Sequence, residues 1–129
     1  MRMRAWPWTC LLVAAQSLVA AAQAPAVQVL GYAGLLGEWE LTATANDMGA
    51  ARTKEFSGPL TMKHVGFCSV DGPEEKRGEI RIRISTEALD VTLSIAGAQC
   101  SFQSRSSNPY IGTLTCSDRA PVPMTLWIE

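Results

Sequence analysis

The chain has 129 residues, room for one ordinary domain and not for two. Its formal net charge is −1 at pH 7, so it offers no basic surface of the kind that nucleic acid requires. A single histidine and four dispersed cysteines give no close-paired metal-ligand spacing, and no metal or other cofactor is expected.

Residues 1–24 read as a secretory signal peptide. Arg2 and Arg4 precede an apolar run from Leu11 to Ala22, and the small residues Ala20, Ala21 and Ala22 follow the signal-peptidase pattern. The run is short of the roughly 20 residues that a membrane span needs, so no stable span is expected after cleavage at or near Gln23. Cys10 and the two arginines leave with the leader, and residues 25–129 then form a single domain of net charge about −3.

Hydrophobicity alternates with period two along most of that domain, which predicts strands. Residues 28–36 are open between a strand and a short helix. Gly37-Glu38-Trp39 then leads into a strand to Thr44, and Ala45 to Phe56 has no clean period. Pro59 to Phe67 reads as a strand whose phase slips near His64 to Gly66, the signature of a bulge. Asp71 to Gly78 reads as a charged loop. In Glu79 to Ser85, Ile80, Ile82 and Ile84 share one face while Arg81 and Arg83 take the other, the pattern of a half-buried antiparallel strand. Leu89 to Ile95 repeats it after a short connection. A turn at Gly97-Ala98 leads to Gln99–Ser104, a loop ends at Asn108-Pro109, and Tyr110–Cys116 returns. A proline-containing loop over Ser117 to Pro123 precedes a last strand, Met124–Ile128.

About seven strands joined by short turns predict an all-β antiparallel meander. Such a sheet protects its two edges by closing into a barrel or folding into a compact sandwich. Gly37-Glu38-Trp39 resembles the Gly-x-Trp that opens the first strand of lipocalins and related small barrels, including the avidin group. The resemblance covers three residues and the strand pattern. It implies a barrel with Trp39 packed across one end and a cavity for a small apolar ligand.

Cys100 and Cys116 are in phase with inward residues and fall opposite one another on neighbouring strands, within disulfide reach. An exported chain folds in an oxidising compartment, so this pair is expected to be bridged and Cys68 left over. His64 precedes Cys68 by four residues, a separation of about 13 Å along a strand, which supplies no base to a cysteine nucleophile. No nucleophile, base and orienting group come together in the sequence, and the domain is expected not to be an enzyme. The candidate contact residues are Trp39, from the resemblance, His64, a surface or rim residue beside Lys63, and Arg81 and Arg83 on an outward face that Lys63 would extend if the strands pair suitably.

These observations predict an exported protein, periplasmic or secreted, that binds a small apolar ligand or an envelope protein. A protease-inhibitor-like role is the alternative class, by analogy of fold.

Overall fold

The computed structural model describes residues 25–49, 53–66, 72–105 and 107–129. The signal-peptide segment and Cys68 lie outside the described residues. Eight strands follow in chain order: β1 (Ala26–Ala33), β2 (Trp39–Asp47), β3 (Lys54–His64), β4 (Glu75–Ile84), β5 (Leu89–Ile95), β6 (Ala98–Ser104), β7 (Tyr110–Cys116) and β8 (Val122–Ile128). Each pairs antiparallel with the next, and β8 returns to β1, closing the barrel. Among the described residues closure leaves no strand edge unpaired, and of the two predicted architectures the barrel is the one formed.

Alternation decides which residues fill it. Leu41, Ile80, Ile82, Leu89, Val91, Leu93, Phe102, Met124 and Leu126 point inward and are essentially inaccessible. Eight strands enclose a space that such side chains fill, so the middle of the barrel is a packed core. Ile80 and Ile82 are buried as expected; Ile84, nearer the barrel end, is only partly buried, and Arg81 and Arg83 are exposed.

Several boundaries differ from the sequence reading. Residues 26–33 are strand and not helix, because β1 must seal the barrel between β2 and β8. The stretch without period hides the end of β2 and the start of β3, where Asn46, Asp47, Lys54 and Glu55 leave few apolar residues to mark an alternation. The expected bulge near His64 is absent. The register between β2 and β3 runs unshifted from Asn46–Ser57 to Trp39–His64, and the apparent slip is the strand ending in a turn at Val65-Gly66. The charged loop is shorter than expected, since β4 begins at Glu75: alternating charges on an outer wall are compatible with a strand. β8 likewise begins at Val122 and takes in Pro123, which faces outward.

Turn chemistry sets the ends. Ala96 and Gly97 both have positive φ, so the β5–β6 turn centres one residue earlier than predicted, in the left-handed geometry that two-residue hairpins use. In the β6–β7 loop the Asn108 amide donates to the Ile128 carbonyl at 3.0 Å and accepts from the Ile128 N–H at 3.1 Å, tying the loop to β8. Gly58 sits where the β2 backbone passes so close that a Cβ would meet the Thr44 carbonyl oxygen. Only glycine permits that approach, and Pro59 beside it has no N–H to give to the ladder.

Candidate functional site

The loops β1–β2, β3–β4, β5–β6 and β7–β8 surround one end of the barrel, and the inward residues nearest them form its mouth. Trp39 opens β2 in phase with Leu41, and His64 closes β3 in phase with Met62. The two are register partners, with ring centroids 4.7 Å apart at 77°, an edge-to-face contact. Lys76 lies in the inward phase of β4, four residues before Ile80. Its ammonium stands 5.1 Å from the centre of the Trp39 ring, within cation–π range. Glu74 approaches the same ammonium at 3.9 Å.

Beneath these side chains is a cavity of about 140 Å³. Met62, Ile95, Leu114 and Val122 give it apolar walls, Trp39 forms one side, and Lys76, Glu38, Asp118 and Arg119 form a charged rim. The opposite wall is the Cys100–Cys116 disulfide, whose Cα atoms are 4.0 Å apart on paired positions of β6 and β7. The bridge expected from the phase of the two cysteines is therefore part of the cavity wall. A space of this size suits a small apolar group or one side chain of a partner rather than a drug-sized molecule, for which about 300 Å³ is the usual lower bound.

The β1–β2 turn beside the mouth is built by Gly34, Gly37 and Glu38. The Gly37 N–H donates to the Gly34 carbonyl at 3.1 Å, and the Leu36 N–H donates to the Glu38 carboxylate at 3.0 Å. The carboxylate occupies the space where a Gly34 side chain would stand, at a φ of +106° that disfavours one. Hydrogen bonds from the Glu38 and Leu36 backbone N–H groups hold the Glu38 pKa below its ordinary value, with His64 adding a smaller push in the same direction. The turn thrusts Leu35 and Leu36 outward, 83% and 92% exposed. Val65 adds a half-exposed aliphatic from the adjoining loop, its N–H donating to the Glu38 carbonyl.

The candidate residues thus divide. Trp39 and His64 come together at the mouth. Arg81 and Arg83 do not join them: they stand on the outer wall of β4, Arg81 beside Ser57 and Thr92, Arg83 ion-paired to Glu55 at 2.9 Å. Lys63 does not extend their stripe either. The antiparallel register sets it opposite Glu75, at the other end of β4 from Arg83. Lys76 was missed by the sequence reading because it lay within the presumed charged loop; its even spacing with Ile80 and Ile82 was the available signal. Among the described residues, no group of three or more His, Cys, Asp and Glu side chains is placed to hold a metal ion.

The fold and site define a closed eight-stranded antiparallel barrel with a small amphipathic mouth. Comparison with known proteins finds no matching family model, no matching curated protein and no matching solved structure.

Proposed function

We propose that the protein is an exported, non-enzymatic binding module of lipocalin-like design, and that its barrel mouth takes up a small apolar ligand or an apolar side chain of an envelope partner. The observation that carries this reading is the cavity of about 140 Å³ with apolar walls, flanked by Trp39 and rimmed by Lys76. Burying an apolar group against Met62, Ile95 and Leu114 supplies affinity, and the Lys76 ammonium gives an orientation to any ligand with an anionic end. The Cys100–Cys116 bridge supports a destination outside the reducing cytosol. The test is a fluorescence titration with the anionic aromatic probe anilinonaphthalene sulfonate. Saturable enhancement is expected for the purified protein, with strong reduction in Ala98→Leu, which fills the cavity, and weaker binding in Lys76→Met. Enhancement that survives Ala98→Leu unchanged would place the probe elsewhere and remove the support for the mouth.

One observation favours the inhibitor-like alternative. Leu35 and Leu36 project from a turn that hydrogen bonds hold in shape, as a segment must if it is to enter a partner's cleft at low entropic cost. Residual-activity assays against proteases of the same envelope test this: inhibition that disappears in Leu36→Asp supports it, and an absence of inhibition by the unaltered protein rules it out.

A further inference from the structure

A second hollow lies on the outside of the barrel, across β8, β1, β2 and β3, and is separate from the mouth. Its volume is about 740 Å³, and its lining includes Tyr32, Trp127, Gln28, Thr42, Thr44 and Thr61. We propose that this groove is a binding site for a neutral carbohydrate chain.

Three features of the lining lead there. First, it combines two aromatic rings with neutral hydrogen-bonding side chains. Tyr32 and Trp127 meet edge to face, centroids 6.1 Å apart at 81°, so their planes are nearly perpendicular and present ring surface in two directions. Aromatic faces carry negative potential and attract the C–H groups of a pyranose ring. Threonine hydroxyls both donate and accept, and a glutamine amide does the same, which matches the hydroxyls around the rim of a sugar. Second, among the described residues no lysine or arginine lines the groove, and the charged group that does is Glu129. Glu40 stands nearby, accepting from the Tyr32 hydroxyl at 3.4 Å, and its register partner Lys63 sets a cation opposite that carboxylate at the groove's edge. The lining itself thus favours neutral hydroxyls, which donate well to carboxylates, over an anionic ligand. Third, the shape fits a chain. Four strands at their usual spacing make the groove about 15 Å wide, long enough for a short run of sugar rings. The rim is partly fixed before binding, since Thr44 donates to Gln28 at 3.0 Å across β1 and β2.

The outer wall on the other side of the barrel serves as the internal contrast. There β4, β5 and β6 present Arg81, Arg83, Asp90 and Gln103, the ordinary solvated exterior of a sheet. On the groove side Tyr32, Trp127, Leu30 and Pro59 stand among threonines, with Glu40, Lys63 and Glu129 towards its edges, and nothing in core packing requires aromatic rings to face outward.

The test is native affinity electrophoresis of the protein in gels containing a soluble cellulose ether, soluble starch or galactomannan, with polygalacturonate as the anionic comparison. Retardation by at least one neutral polymer and none by polygalacturonate is expected. Trp127→Ala should weaken it at least tenfold. Thr44→Lys, an exposed change that leaves the core alone, should do likewise, with a circular dichroism melt confirming that it folds. Ser101→Lys makes the same charge change on the opposite wall and should leave retardation intact. Failure of all three neutral polymers to retard the protein overturns the proposal, as does retardation that persists in Thr44→Lys. Sedimentation supplies a further arm: self-association abolished by Thr44→Lys, without retardation by any polymer, would make this face a contact between copies of the chain and refute the carbohydrate site.

Discussion

The wall made by β4, β5 and β6 differs from the wall made by β8, β1 and β2 on both faces. On the first, Ile80, Ile82, Val91, Leu93 and Phe102 fill the interior, and Arg81, Arg83, Asp90 and Gln103 stand in water. On the second, the inward positions include Gly31, Ala33, Ala43 and Ala45, while the outward ones include Leu30, Tyr32, Thr42, Thr44 and Trp127. Those small residues alternate with the large Val29, Leu41, Met124 and Leu126, so both walls contribute bulk to a narrow, close-packed interior, and the second does so with smaller side chains among the large ones.

Truncation and enlargement should therefore cost differently on the two walls. The largest effect is expected for Ile82→Ala, since Ile82 is 0% exposed; deleting a buried branched aliphatic costs about 2–5 kcal/mol in a urea melt. The disulfide spans β6 and β7 next to this wall. Replacing Cys100 and Cys116 by alanine should cost about 3 kcal/mol, the entropy of a closed loop of this length. Non-reducing peptide mapping should recover the two cysteines in one linked fragment. At the small inward positions of the other wall the informative change runs the other way. Ala45 is also 0% exposed, and Ala45→Leu should destabilise by about 1–3 kcal/mol through overpacking. Tolerance of that leucine would mean that the interior is less full than close packing requires. Arg83→Ala should fall within about 0.5 kcal/mol, despite the 2.9 Å ion pair with Glu55, because exposed pairs contribute little.

The smallest expected effect concerns the β1–β2 turn and depends on pH. The Glu38 pKa is lowered in the folded protein, so its contribution is fully present above the unfolded value and is lost as pH falls through the folded one. Hydrogen exchange at the Leu36 amide should accelerate, relative to its unfolded reference, as the carboxylate protonates in acid. In Glu38→Gln that acid dependence should vanish. An amide whose protection is independent of pH in the unaltered protein would show that the carboxylate does not hold the turn.

The same contrast explains what could be read from the chain. Glu79 to Ser104 was legible because isoleucines and leucines alternate there with charged and polar residues, so both the strands and their facing follow from period alone. The Cys100–Cys116 pairing was legible for the same reason: the two cysteines are in phase on adjacent strands, and the short loop between them brings them opposite one another. The segment 28–36 and the stretch from Ala45 to Phe56 were not legible. In the first, apolar residues stand on both faces, Val29 inward and Leu30 and Tyr32 outward, and in the second few apolar residues mark an alternation, so neither shows a clean period. Trp39 was found through the local Gly-x-Trp pattern and His64 through its strand, but their contact required the β2–β3 register.

The sequence by itself determined the strand-rich class, the facing of Ile80 to Arg83 and of β5 to β7, and the disulfide pair. Each depends on residues close together in the chain, or on composition. Tertiary structure decided that the sheet closes through β1 and β8, that Lys76 turns in over Trp39, and that Arg83 and Lys63 stand at opposite ends of one wall. It also decided that Tyr32 and Trp127 meet on the outside. Those outcomes join residues far apart in the chain, and their relative positions are set by strand register and barrel closure, which no local pattern encodes.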